Sequence, residues 1–256
     1  MNTRIDTTNI AASKALLGLP MPKMFNPQSI ALAILFILIT VASVSPANAA
    51  ESDPLEPVNR VTHQFNEVVD RWVVKPAALT YRSSTPGFLK KGIRNFFNNL
   101  DDVRVILNDV AQLKFSQAAQ DLGRLTINST IGIGGLVDVA GSEFGLEKNR
   151  QDFGKTLAHY GVESGPYVVL PLFGPSTLRD AFGLGVDATV EPVRHIDHVP
   201  TRNALMLSEA IDYRESLLGL DDFVTGDRYL FLREAYLQQR EFQISGSLPD
   251  LAFEGF

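Results

Sequence analysis

Residues 116–141 read SQAAQDLGRLTINSTIGIGGLVDVAG. The first half places Ala118, Ala119, Leu122 and Leu125 at helical spacing, so Ser116 is expected to begin an amphipathic helix. The second half is apolar and nearly uncharged, and it carries Gly132, Gly134 and Gly135 within four residues. That suits neither a regular helix nor a solvated loop. Residues 127–141 therefore admit three readings: a glycine loop that cradles phosphate, a buried strand and turn, or a pliable segment that touches lipid.

The phosphate reading fails on spacing. Gly132-Ile-Gly134-Gly135-Leu-Val137 has neither the third glycine of a dinucleotide fingerprint nor the lysine of a P-loop, and it follows a helix where both motifs require a strand. Arg124 and Asn128 are polar, one turn apart, and close an otherwise apolar helix. They are candidate anchors for the loop, bonding its backbone. Gly132, Gly134 and Gly135 are the candidate hinge, because glycine reaches backbone angles that other residues avoid.

Upstream, Val58, Val61, Phe65, Val68, Val69 and Trp72 recur at the spacing of one helical face, and Pro76 is expected to break that helix. Thr85-Pro86 is expected to cap a second helix with Leu89, Ile93, Phe96 and Phe97 inward. Asp101 is expected to cap a third that carries Val103, Ile106, Leu107 and Val110. Short polar turns between such helices predict an all-α fold. Residues 131–185 interrupt it with repeated glycine and proline, leaving room for a short helix at 152–160, an extended piece at 167–170 and a helix at 176–188. Helical periodicity returns at 203–218 and 221–242, and residues 243–256 read as a tail.

The N-terminus has a different texture. Ile30 to Val44 is an unbroken run of apolar and small residues, shorter than the roughly 20 a spanning helix needs, and it follows Lys14 and Lys23. Ala47-Asn-Ala49 offers the small side chains of a signal-peptidase site, so residues 1–49 read as a cleaved secretory signal peptide, with an uncleaved anchor as the alternative. Cleavage removes Arg4, Lys14 and Lys23 against Asp6, which moves the formal charge from −6 to −8. So acidic a chain is a poor partner for nucleic acid. The chain contains no cysteine, which excludes disulfides, thiolate chemistry, cysteine-ligated metal and an acylated N-terminal cysteine.

No catalytic set emerges. The nearest approach to a nucleophile elbow, Gly161-Val-Glu-Ser-Gly165, places its serine one residue late. His63 and His159 lie on helices without a partner motif, and His195-Ile-Asp197-His198 sits between prolines as a solvated turn in place of a metal site. Asp101-Asp102 and Asp221-Asp222 precede helical runs and read as caps. Neither a metal nor a cofactor is expected, and the chain is read as a non-enzyme. Phe96, Phe97, Phe144, Phe153, Phe173 and Phe182 lie in or near irregular segments, and such aromatics left exposed mark a surface for partners, ligand or membrane.

Dense motifs in order carry a resemblance. Asp53-Pro-Leu-Glu-Pro-Val-Asn-Arg60, Phe65-Asn66, Lys75-Pro-Ala77, Tyr81 and Asn95-Phe-Phe-Asn-Asn-Leu100 resemble the opening of the MlaA (VacJ) outer-membrane phospholipid-asymmetry proteins. The similarity continues through residues 124–140, Asp152-Phe-Gly-Lys-Thr-Leu157, residues 165–175 and Leu178-Arg-Asp180, and it closes with Arg228-Tyr-Leu and Tyr236-Leu-Gln-Gln-Arg240. It places a domain of this kind at 50–242.

The resemblance implies a ring of helices in the periplasmic leaflet of the outer membrane, with an amphipathic channel. Through it, phospholipid misplaced in the outer leaflet leaves for a soluble periplasmic carrier that feeds an inner-membrane ABC transporter. It also implies association with trimeric porins. One departure matters: many members carry an acylated cysteine at the signal-peptide junction, which here reads Ala47-Asn-Ala-Ala-Glu51. The rival readings are a soluble periplasmic lipid-binding carrier and a scaffold that merely holds porins.

Overall fold

The structure, a computed structural model, describes residues 53–246. The expected signal peptide lies outside them. The described residues are all-α apart from one hairpin of two short strands. Helix α1 spans Glu56–Val69, with Pro57 at its first turn where the missing N–H costs nothing. Pro76 does not break the chain's course, contrary to expectation. The helix widens into a π segment over Asp70–Val74, where Lys75 N–H bonds back to the Asp70 carbonyl, and continues as α2 (Lys75–Ser84). The wider turn takes up the clash that proline would otherwise impose one turn back.

Helix α3 (Gly87–Ala111) is a single run of 25 residues, so the second and third expected helices are one. Asp101 caps nothing: it lies mid-helix, 2.6 Å from Arg104 and 3.1 Å from Lys148, and these cations neutralise it there. Helix α4 (Phe115–Thr130) packs antiparallel along α3 across the short turn at 112–114. Then come α5 (Val139–Phe144), α6 (Phe153–His159), strands β1 (Tyr167–Leu170) and β2 (Gly174–Thr177), and α7 (Leu178–Asp187). Asp138, Asp152 and Thr177 cap the three helices through side-chain oxygens. A 3-10 turn (Pro192–His195), α8 (Val199–Leu217), a second 3-10 turn (Leu218–Phe223) and α9 (Arg228–Ser245) complete the order. Asp221 and Asp222 sit in that second 3-10 turn, and the cap of α9 is Asp227. Helix α9 runs through Ser245, three residues into the expected tail, and stops at Gly246 in the left-handed conformation.

The hairpin is antiparallel, with Tyr167 opposite Thr177 and Leu170 opposite Gly174. Its outer edge is closed by side chains in place of a third strand. Asn59 donates to the Tyr167 carbonyl and accepts from Val169 N–H, at 3.0 and 2.8 Å. Two turns along α1, Asn66 does the same for Leu170 and Leu172, at 2.9 and 2.8 Å. Helix α9 returns to the start of the described chain, where Arg60 meets Asp227 at 2.9 Å and Tyr229 donates to Asp53.

The apolar face of these helices looks outward. Among the described residues, ten buried side chains are apolar and seventeen are polar or charged, the reverse of an ordinary interior. The compact apolar cluster is small: Tyr167, Val169 and Tyr229, with Tyr236 and Leu237 against them. The α1 stripe predicted from periodicity exists, but Val58, Val61, Phe65, Val68 and Trp72 are all more than half exposed. Leu89, Leu107 and Val110 are exposed too, while α3 buries Asn99, Asp102, Asn108 and Asp109.

Candidate functional site

The polar interior is built around α3 and α4, which press polar faces together. Asp121, Arg124 and Asn128 recur along one side of α4 and are all buried. The Arg124 guanidinium is 3.0 Å from Asp138 and 3.4 Å from Asp102, and it donates to the Leu146 carbonyl at 2.8 Å. Its contact with Asp102 is an ion pair without hydrogen-bond alignment. Lys148 completes the charge balance, bonding Asp102 and, at 2.8 Å, the Asn98 carbonyl. Burial pushes the Asp102 carboxyl above the usual range, against the pull of Lys148 and Arg124. For Asp138 burial pushes the same way, but bonds from Arg124 and Asn128 outweigh it and hold that carboxyl low.

Asn128 donates to Asp138 at 3.0 Å and accepts from Ala140 N–H at 2.9 Å. Its carbonyl accepts from Gly135 N–H at 2.8 Å. Both candidate anchors thus touch the segment after α4. The glycine loop itself is a tight turn: Val137 N–H bonds the Gly132 carbonyl at 2.9 Å, and Asn95 donates to the Leu136 carbonyl at 3.1 Å. A side chain on Gly132 would meet the Val137 carbonyl oxygen at 2.2 Å, and one on Gly135 would meet Asn99 at 2.8 Å. Gly134 and Gly135 both hold positive φ, +66° and +90°, but at Gly134 a side chain would meet open space. At the tip, Ile131 and Ile133 are 63 % and 69 % exposed.

Two further clusters escaped sequence reading because their members are far apart in the chain. Asp109 and Asp121 lie together with Asn149, whose amide donates to both at 3.1 and 3.2 Å. Burial, then the Asp121 neighbour, drives the Asp109 carboxyl well above the usual carboxylate range. On α9, Arg240 grips Asp152 and Asp180 with bonds of 2.6 to 3.0 Å, and Tyr236 donates to Asp180 at 2.8 Å. That charge set ties α9 to the starts of α6 and α7. It borders a cavity of ≈ 240 Å³ that also has Arg104, Leu170, Phe173 and Leu184 on its walls.

The histidines build no common site. His63 packs edge-on against Tyr229, with ring centroids 5.7 Å apart, and burial lowers its pKa. His195 bonds the Thr189 carbonyl at 2.8 Å, and His198 caps α8 through Thr201. Among the described residues no group of three or more His, Cys, Asp or Glu could hold a metal ion.

The family model described as MlaA lipoprotein matches residues 51–243. The intermembrane phospholipid transport system lipoprotein MlaA of Shigella flexneri is 36 % identical over 215 residues, covering 82 % of this chain and 85 % of that protein. That of Haemophilus influenzae is 32 % identical over 212 residues, covering 78 % and 85 %. An uncharacterised protein of Rickettsia bellii is 36 % identical over 193 residues, covering 74 % and 75 %. A solved structure reported as the structural basis for maintenance of bacterial outer membrane lipid asymmetry superposes with a TM-score of 0.67 at 34 % identity, over 76 % of this chain and 100 % of that one.

Proposed function

The chain belongs to the MlaA lipoprotein family, and from that premise we propose that it works in intermembrane phospholipid transport at the outer membrane. It forms a helical ring seated in the periplasmic leaflet, whose amphipathic channel takes misplaced phospholipid from the outer leaflet and passes it to a soluble periplasmic carrier. The observation that carries this reading is the inverted burial. The stripe from Val58 on α1 to Trp72 in the π segment runs about 21 Å at the helical rise of ~1.5 Å per residue, and its side chains are more than half exposed among the described residues. Water makes such a surface costly, whereas lipid rewards it with about 0.8 kcal/mol per buried CH2. The buried polar side chains are the complementary feature, because the side of the helices turned from lipid is the side that carries charge.

Among the described residues no helix is long and apolar enough to cross a membrane, and a body seated in one leaflet needs none. With no cysteine to acylate, attachment falls to the apolar exterior, to trimeric porins or to an uncleaved N-terminal segment. The glycine loop is the moving part. Arg124 and Asn128 anchor its base, Gly132 and Gly135 seat it against Asn128 and Asn99, and Gly134 gives the tip its freedom. The glycines thereby act together as a hinge that gates the path.

The rival reading is a soluble periplasmic lipid carrier, which the missing cysteine favours. Fractionation separates the two. Recovery of the chain in outer-membrane pellets after a high-salt wash supports the embedded ring, and release into the soluble fraction supports the carrier.

A further inference from the structure

Four asparagines are buried among the described residues, and three of them use both ends of the amide. Asn59 donates to the Tyr167 carbonyl and accepts from Val169 N–H. Asn108 donates to Asp187 and accepts from Thr156, and Asn128 donates to Asp138 and accepts from Ala140 N–H. Asn99 is the exception. Its Nδ2 meets the Ser129 hydroxyl at 2.9 Å, but its Oδ1 is buried with no hydrogen-bond partner. An acceptor in that position has lost its water and gained nothing in return.

The glycine loop lies directly on this amide. A side chain on Gly135 would meet both Cβ and Nδ2 of Asn99 at 2.8 Å. Asn95, one turn earlier on the same side of α3, donates to the Leu136 carbonyl at 3.1 Å. The Leu136 N–H is poorly held. It reaches the Ile133 carbonyl at 3.4 Å, whereas the N–H groups of Gly135 and Val137 make bonds of 2.8 and 2.9 Å. Ile133 itself sits at φ +56°, a left-handed conformation that a β-branched side chain rarely takes. A strained residue, a long bond and an idle acceptor therefore meet within one turn. A shift of the Leu136 N–H from Ile133 to Asn99 pairs the acceptor and frees Ile133 from holding the turn.

We propose that Asn99 is a positioning residue for the glycine loop, the catch on which the loop closes in a second conformation. In that conformation α3 holds Leu136 at both ends, its carbonyl through Asn95 and its N–H through Asn99. The inference rests on the hinge reading of Gly132, Gly134 and Gly135 and supplies what a hinge needs, a second resting place of comparable energy. Because the Asn99 acceptor is unpaired in the present conformation, removing it leaves this one intact and takes away the other.

The test compares Asn99→Ala with Ser129→Ala in the full chain in detergent micelles, by hydrogen exchange of peptides covering residues 131–137 read by mass spectrometry. Asn99→Ala is expected to speed exchange there about fivefold, the scale of one hydrogen bond. Its melting temperature should stay within ~3 °C of the wild type, since the lost bond to Ser129 is offset by the loss of a buried unpaired acceptor. Ser129→Ala breaks the Asn99–Ser129 bond but keeps the acceptor, and is expected to leave exchange within about twofold of the wild type. In null cells Asn99→Ala should leave excess phospholipid in the outer leaflet, and Ser129→Ala should clear it. Equal exchange in Asn99→Ala and the wild type overturns the catch, as do equal effects of the two variants or failure of Asn99→Ala to fold, each of which makes Asn99 a packing residue. Faster exchange in Asn99→Ala with undiminished transport overturns the hinge reading and leaves the catch standing. A wild-type chain that clears no phospholipid overturns the transport reading, and the exchange comparison still decides the catch.

Discussion

Asp109 and Asp121 are 0 % and 1 % exposed and share a single amide donor, that of Asn149, at 3.1 and 3.2 Å. Two carboxylates so placed cannot both ionise without repulsion in a poorly solvated space. One proton therefore belongs to the folded state at a pH where the unfolded chain has already released it.

The sign of the resulting pH dependence follows. The Asp109 carboxyl is raised to about 7 in the fold, so the contribution of this pair is fully present below the ordinary carboxylate pKa and is lost as pH rises through about 7. Asp109→Asn removes the ionisation. The variant is expected to melt like the wild type near pH 4 and about 2–4 °C higher at pH 8. Thermal unfolding in detergent at the two pH values checks this, and a variant less stable than the wild type at pH 8 sinks the shared-proton reading.

Arg240 neutralises two carboxylates that are held below the usual range, chiefly by its own bonds set against burial. Arg240→Ala leaves Asp152 without its hydrogen-bonded cation and Asp180 with Arg179 alone, 3.0 Å away, and is expected to cost about 3 kcal/mol. Arg240→Lys recovers part of this, because an ammonium cannot grip both carboxylates in a planar fork. Chemical denaturation of both variants reads the difference, and equal stability of Arg240→Ala and the wild type contradicts it.

The three loop glycines should not be equivalent. Gly132→Ala drives a methyl group against two backbone carbonyls, at 2.2 and 2.5 Å, and Gly135→Ala both meets Asn99 at 2.8 Å and holds φ +90°. Gly134→Ala meets nothing but holds φ +66°, a strain of about 1–2 kcal/mol. Gly132→Ala is therefore expected to destabilise most. Gly134→Ala is expected to keep the fold and lose lipid asymmetry, seen as detergent sensitivity in a null strain. Full asymmetry with both Gly134→Ala and Gly135→Ala removes the hinge.

The exterior makes a separate prediction. Trp72 is 75 % exposed and Phe65 51 % exposed on the same α1 stripe. Replacing both with Asp should leave the melting temperature within ~2 °C, as surface changes do. The same pair should move the protein from salt-washed membranes toward the soluble fraction. Unchanged membrane recovery places the attachment elsewhere.

What the residues disclosed in advance was periodicity, and periodicity has no sign. Val58, Val61, Phe65, Val68 and Trp72 share a face as their spacing predicts, but spacing does not say what covers that face. The inward orientation expected for Leu89 assumed water outside. Asp101 was read as a cap because it is a capping residue type, whereas Arg104 one turn on and the distant Lys148 hold it in the middle of a helix. Asn128 bonds Asp138 and Ala140, 10 and 12 positions on, so its contacts were within reach of local reading, whereas Arg124 also meets Asp102 and Leu146, each 22 positions away. Arg240 was out of that reach, since Asp152 and Asp180 are 88 and 60 positions away.

The central claim is that the chain removes phospholipid from the outer leaflet. The most direct test measures outer-leaflet phospholipid in cells lacking their own copy, with and without this chain supplied. The account predicts that the excess falls to the wild-type level when the chain is present. An excess that persists while the folded chain is recovered from the outer membrane would contradict it.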